Sequence, residues 1–281
     1  MSSELVARHL VCPKCYGTLT LQGEEIACAA PGCGWRGEWK SDVAIVVRGA
    51  GPSFFDDKVA VMQAGHSEES QSSVFQTAQM RIFAEAIRPG SIVLDVGCGP
   101  KAPYERRVDC TVIGVDMSLD SLRANADVDL RVYGSAAELP IRARSVDTVV
   151  CVYSVHHFVA TTVAASETLV QAAFREFARV LKPGGELFVF DVSPWPPFAL
   201  MQGKAWNLAK RMLRGKLDMF FWRDQALTEM VGACLPTGTA LEIQSFDTPW
   251  WSTFAPVFAL PKLRVPRMLY PFDINMYRWK L

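Results

Sequence analysis

Four of the eight cysteines fall in one short N-terminal stretch, as Cys12-Pro-Lys-Cys15 and Cys28-Ala-Ala-Pro-Gly-Cys33. Each pair sits in a turn with small residues behind it, Gly17 after the first and Gly34 after the second. Such turns aim backbone N–H groups at sulfur and bring two thiolates onto one ion. Four thiolates suit tetrahedral Zn²⁺ and leave no coordination position open, so Cys12, Cys15, Cys28 and Cys33 are expected to hold a structural metal rather than a reactive one. Between the pairs, Thr18–Leu21 alternates like a hairpin strand, with Glu25–Ala27 as its partner. The remaining cysteines, Cys98, Cys110, Cys151 and Cys234, are scattered. In a reducing compartment, such clustering of the first four suggests metal rather than bridges. The N-terminus lacks the apolar core of a secretory signal, so the expected location is cytoplasmic.

A second group of chemically useful residues lies further along. Gly97-Cys98-Gly99 follows the apolar run Ser91–Val96, and Asp116 ends the next apolar run, Thr111–Asp116. A glycine turn lets a ligand approach the backbone, and a carboxylate at the end of the neighbouring strand can accept hydrogen bonds from both hydroxyls of a ribose. His156 and His157 stand just past a fourth apolar run, Asp147–Val152. An imidazole, with an ordinary pKa near ~6.5, is suited to taking a proton at neutral pH.

These groups need a scaffold, and the periodicity supplies one. Ser91–Val96, Thr111–Asp116, Leu130–Tyr133, Asp147–Val152 and Glu186–Asp191 read as strands buried on both faces. Helical stretches lie between them, the clearest being Glu167–Leu181, which stops at Lys182-Pro183-Gly184-Gly185. Strands alternating with helices predict a doubly wound α/β sheet, in which ligands bind beyond the carboxyl ends of the strands.

The ordered series LDVGCGP, VIGVD, GSAAELP, SVDTVVCVYSVHHF and EFARVLKPGGELFVFD resembles the class I S-adenosylmethionine-dependent methyltransferases, of the type 11 kind. The cysteine-rich start resembles the short zinc ribbons that precede some of them. The resemblance implies a seven-stranded Rossmann-like sheet over residues 74–262, a ribbon domain at 1–48, a linker at 49–73, a lid insert at 193–222 and a C-terminal tail at 263–281. It implies that Asp95, Gly97 and Gly99 line the methionine half of S-adenosylmethionine. Asp116 would take the ribose and Met117 would pack on the adenine. Ser135 and Ala136 would meet the adenine edge, Ser135 standing where the family often has Asp. Val152 and Tyr153 would face the sulfonium, and His156 or His157 would act on the acceptor. The implied cofactors are S-adenosylmethionine and structural Zn²⁺.

Composition narrows the acceptor. Half the residues are hydrophobic and 21% are charged, which excludes a disordered chain. The 29 basic and 29 acidic residues cancel, against bulk attraction to nucleic acid. The stretch after Asp191 reads as an amphipathic basic helix, expected to close an apolar face over the pocket with its charges in water. Peripheral contact with a membrane surface is the other use of such a helix. The expected reaction is methyl transfer to an oxygen or nitrogen of an apolar or aromatic small molecule. Two alternatives stand beside it. One is an RNA base enzyme of the ribosomal guanine-N type, served by the basic and aromatic segment Pro261–Leu281. The other is a noncatalytic docking protein on the same fold.

Overall fold

The computed structural model describes residues 2–47, 81–102, 104, 106, 109–212, 218–246, 251–253, 264–269 and 271–281. The expected linker 49–73 lies outside them, as do residues 213–217 of the insert.

The N-terminal region is helix α1 (Ser2–His9) followed by strands β1 (Leu19–Gln22), β2 (Glu25–Cys28), β3 (Arg36–Lys40) and β4 (Val43–Ile45). The central domain carries β5 (Ile92–Val96), β6 (Thr111–Asp116), helix α2 (Leu119–Ala124), β7 (Leu130–Tyr133), β8 (Val146–Val152), helix α3 (Val163–Val180) and β9 (Leu181–Pro194). Then come helices α4 (Pro196–Met212) and α5 (Asp224–Gly232) and strand β10 (Ala240–Phe246). A short pair, β11 (Trp251–Thr253) and β12 (Arg264–Pro266), precedes the final strand β13 (Phe272–Lys280).

The main sheet runs β1-β2-β3-β4-β7-β6-β5-β8-β9-β13-β10. The parallel centre explains itself: β5 and β8 are covered on both faces, and their sequences IVLDV and VDTVVCV are correspondingly continuous in apolar residues. Helix α3 starts on Thr162, whose hydroxyl accepts from the Ala165 N–H, and lays Val170, Phe174 and Phe177 on the core.

Two expectations change. The sheet has eleven strands rather than seven, because the N-terminal region adds its four to the edge: β4 pairs in parallel with β7, Val43 opposite Arg131 and Ile45 opposite Tyr133. The N-terminal forty residues therefore share one sheet with the central domain instead of forming a separate body. They also share a core, since Val6, Leu10, Leu19, Ile26 and Trp35 cluster with Leu94, Val96, Val132 and Val149. The second change is at the C-terminus. Phe272–Lys280 is no tail: it inserts antiparallel between β9 and β10. Its aromatic residues Phe272, Tyr277 and Trp279 are buried, and Arg278 is paired with Glu186 and Glu242. A strand with buried rings and paired cations offers no stacking platform for RNA bases.

Helix α4 also departs from expectation. Its buried residue is Trp206, packed edge-on against Phe220 at 5.1 Å between ring centres, while Leu200, Met201, Leu208 and Met212 point to solvent. Among the described residues, no helix is long and apolar enough to cross a membrane.

Candidate active site and metal centre

The carboxyl ends of β5, β6, β8 and β9 converge. At the end of β5, Gly97 has φ +70°, and a Cβ on it would lie 2.2 Å from the Ser154 hydroxyl oxygen. Glycine is therefore required twice over, by backbone conformation and by space. Ser154 donates from Oγ to the Gly97 carbonyl at 3.2 Å, which locks the turn after β8 against the turn after β5. Asn125 holds the other side, donating from Nδ2 to the carbonyls of Cys98 (3.3 Å) and Gly99 (2.9 Å). Both Asp116 oxygens already accept a backbone N–H, from Gly99 at 2.9 Å and from Ser118 at 2.8 Å. A carboxylate oxygen can accept from more than one donor.

Asp95 is fully buried and takes a hydrogen bond from the Tyr104 hydroxyl at 3.0 Å. Burial pushes its carboxyl from 3.8 up to about 7, against the pull of Tyr104 and with help from the charges of Asp116 and Asp127. The folded state thus holds this proton more tightly than the unfolded chain does. The resulting destabilisation is absent below pH ~4, grows as pH rises and is complete above pH ~7. Asp95→Asn keeps the shape and the acceptor for Tyr104 and removes that cost. In urea unfolding at pH 8, the ligand-free variant is expected to be more stable than the parent by about 1–4 kcal/mol, with the gap closing towards pH 4. A variant less stable than the parent at pH 8 would contradict this charge assignment.

The remaining expected cofactor residues line the same rim. Met117 is exposed beside Asp116, and Ser135 and Ala136 are half-buried just past β7. Val152 ends β8, and Tyr153 follows it with φ 50°, its N–H held by the Phe190 carbonyl at 2.7 Å.

The two histidines separate by role. His156 is buried, and its Nδ1 lies 2.6 Å from Asp191 Oδ1 while its backbone N–H donates to Asp191 Oδ2 at 3.0 Å. A carboxylate on Nδ1 fixes the proton there and leaves Nε2 as the nitrogen that can accept one. Phe221 packs on the ring, 5.1 Å between centres, and the His156 carbonyl accepts from the Phe220 N–H at 2.7 Å. His157 instead anchors its Nδ1 on the Asp218 carbonyl at 2.7 Å. Burial and the neighbouring His156 hold its pKa well below the ordinary value, so it stays neutral.

Reasoning from sequence missed Asp191 as the partner of His156, along with Tyr104, Asn125 and Ser154. Asp191 is 35 positions from His156, and only the pairing of β8 with β9 brings them together. Tyr104 and Asn125 carry no motif that separates them from ordinary loop residues.

Residues 94–189 match the family model described as a methyltransferase domain. The chain has the class I methyltransferase fold. The matched residues span β5 to the middle of β9, at the centre of the sheet. It is 30% identical over 184 residues to 27-O-demethylrifamycin SV methyltransferase of Amycolatopsis mediterranei (strain S699), covering 61% of this chain and 64% of that protein. It is also 30% identical over 135 residues to the tRNA (carboxymethyluridine(34)-5-O)-methyltransferase ALKBH8 of Mus musculus, covering 48% of this chain and 18% of the relative. Its matches thus span less than two thirds of these curated relatives. Among solved structures, the complex between the Haloferax volcanii Trm112 methyltransferase activator and a putative methyltransferase contains a similar fold. That likeness has a TM-score of 0.50 at 17% identity and covers 80% of this chain and 98% of that one.

The four N-terminal cysteines do converge. Their sulfurs lie within 4.8 Å of one another, with Cys12–Cys33 at 3.7 Å and Cys15–Cys28 at 3.4 Å. Four ligands at the usual Zn–S length of about 2.3 Å would stand roughly 3.8 Å apart, so the set fits a tetrahedral ion. The Lys14 and Ala30 N–H groups point at Cys12 and Cys28 sulfur, both at 3.4 Å. Gly17 is needed beside them, because a Cβ there would press on Ala30 and on the Cys15 and Cys28 sulfurs at 3.0–3.3 Å.

Proposed function

We propose that this protein is an S-adenosylmethionine-dependent methyltransferase that methylates an oxygen of an apolar or aromatic small molecule. The observation that carries the oxygen assignment is the buried Asp191–His156 pair beside the Gly97 turn. A hydroxyl must lose its proton as it attacks a methyl group, and His156 Nε2 is the base that Asp191 orients for it. Bound S-adenosylmethionine supplies the electrophilic methyl. Asp116 holds the ribose, Asp95 the methionine end, and Met117, Ser135 and Ala136 border the adenine. Val152 and Tyr153 stand where the reacting centre meets the acceptor. Alignment of nucleophile and methyl is the main contribution asked of the fold. An amine could react here by the same alignment with His156 as a bystander.

Support for the acceptor class comes from the apolar surroundings of His156: the Phe221 ring packs on it, and Phe220 and Trp222 on either side in sequence are buried in the core. An RNA acceptor draws support from the tRNA-modifying relatives, but those matches cover the cofactor domain that both classes share. The burial of Phe272, Tyr277 and Trp279 weighs against it.

The ribbon cysteines are assigned one structural Zn²⁺ per chain, with no part in the chemistry, because a four-thiolate site is closed.

The deciding experiment is calorimetric titration with S-adenosylhomocysteine. Micromolar binding that falls at least tenfold in Asp116→Ala is expected. A folded, metal-loaded protein that shows no heat at millimolar ligand would overturn the enzyme assignment and leave a docking role.

A further inference from the structure

Helix α4 presents its apolar residues to the outside. Leu200, Met201, Leu208 and Met212 are 58–71% exposed. At 100° per residue they fall, with Lys204 and Arg211, in an arc of about 120°, and Trp206 is diametrically opposite that arc. Trp206 is the one residue of the helix that is buried. The helix therefore meets its own protein through the indole and turns four large apolar side chains away from it.

The charge carried by this stretch of sequence has one sign. No Asp or Glu occurs from Val192 to Leu217, while Lys204, Lys210, Arg211, Arg214 and Lys216 do. In a chain with equal numbers of acidic and basic residues, this is a local concentration of positive charge. Lys210 turns inward to Asp218 at 3.2 Å and leaves Lys204 and Arg211 exposed within the arc, between Leu200 and Leu208. Beyond the helix N-terminus, the Trp195 N–H is bonded to the Pro271 carbonyl at 2.9 Å. That places the exposed Met268 and Leu269 within a few residues of the same end.

We infer that this face of α4 docks on an anionic lipid bilayer. Leu and Met enter the boundary between headgroups and acyl chains, and Lys204 and Arg211 meet the lipid charge. An exposed arc that carries both large apolar side chains and cations, on a helix without acids, suits such a surface, where each kind of side chain finds its own layer. Nucleic acid would use the cations but leave the four apolar side chains in water. Docking also bears on the site, because α4 is clamped to it. Gln202 exchanges two hydrogen bonds with the Phe221 backbone, at 2.9 and 3.1 Å, and Phe221 lies on His156. A bilayer against the outer face of α4 would be separated from Phe221 by this one helix, so docking bears on the acceptor side through Gln202.

The test is sedimentation of the purified full-length protein with large vesicles of phosphatidylcholine containing 30% phosphatidylglycerol. The composition is a choice of probe, roughly matched to the surface charge needed for basic residues to be attracted. Binding to these vesicles but not to pure phosphatidylcholine is expected, together with at least a tenfold loss in 0.5 M salt, roughly as screening predicts. Leu208→Asp and the Lys204→Glu/Arg211→Glu pair should each lower partitioning at least tenfold. All these positions are exposed, and unchanged thermal melting checks that the variants fold. Three results would overturn the inference: no sedimentation with either vesicle, binding insensitive to these substitutions, or a dimer in light scattering that Leu208→Asp dissolves without any vesicle binding.

Discussion

In single-turnover methyl transfer from labelled S-adenosylmethionine to hydroxylated aromatic acceptors, His156→Ala is expected to slow the reaction by about 10²–10⁴-fold. Binding of S-adenosylhomocysteine should change by no more than a few-fold, since His156 touches the acceptor side of the site and not the glycine turn. Asp191→Asn should lose much of the same rate at neutral pH. A carboxamide can offer its N–H to Nδ1, which stabilises the tautomer with the proton on Nε2 and removes the base. The two losses should not add, because both residues serve one proton transfer. Raising pH should restore part of the rate to Asp191→Asn as the hydroxyl ionises without help. If His156→Ala loses less than tenfold with every hydroxyl acceptor, the proton role fails. An amine or activated carbon would then be the nucleophile to pursue.

The second large effect concerns the metal. Chelation, or Cys12→Ser with Cys33→Ser, is expected to unfold the N-terminal forty residues, since a structural zinc site supplies about 10–16 kcal/mol of binding free energy to a fold of this size. The damage should not stop there. Strand β4 covers the edge of β7, and Val43, Ile45 and Val47 pack with Cys98, Leu119, Leu122 and Tyr133. Cys98 sits inside the glycine turn, and Leu119 opens the helix that follows Asp116. Losing the ribbon removes one wall of the cofactor cradle, so S-adenosylhomocysteine affinity should fall at least tenfold. Metal analysis of the intact protein should give one zinc per chain. Calorimetry before and after chelation then reads the coupling. Unchanged affinity in a demetallated protein would mean that the central domain keeps β7 in place without β4.

The sequence was informative where one local rule decides the structure. Thr111–Asp116 and Leu130–Tyr133 are strands over the predicted residues, because runs buried on both faces carry their own signal. The glycine turn and Asp116 come together for the same reason, each lying at the end of such a run. The segment Phe272–Lys280 defeated that logic. Its burial runs Phe272 in, Asp273 out, then Ile274 to Tyr277 all in. The polar members find distant partners: the Tyr277 hydroxyl and Asn275 Nδ2 both donate to Asp224, and Arg278 reaches Glu186. Interleaved cations and rings look like a surface until those partners are known. The direction of helix α4 was hidden in the same way. Its periodicity shows that two faces differ, but the face turned inward is chosen by one tryptophan meeting Phe220 and not by the larger number of apolar residues. The coupling of Asp191 to His156 depends on strand order, which no local pattern encodes.

The place of β13 between β9 and β10 has a consequence for how the chain is made. Both neighbours are synthesised before it, and among the described residues β10 has no other partner in the sheet. A nascent chain that has released everything through Phe246 therefore holds β9 with a naked flank of amide and carbonyl groups, and β10 drifting beside it with nothing to join. That flank is the kind of edge on which a second chain can zip up by mistake. Translation beyond Phe246 is thus a window of vulnerability, closed only when Phe272–Lys280 threads into the gap. A ribosome stalled in that window would leave an intermediate with an adhesive edge.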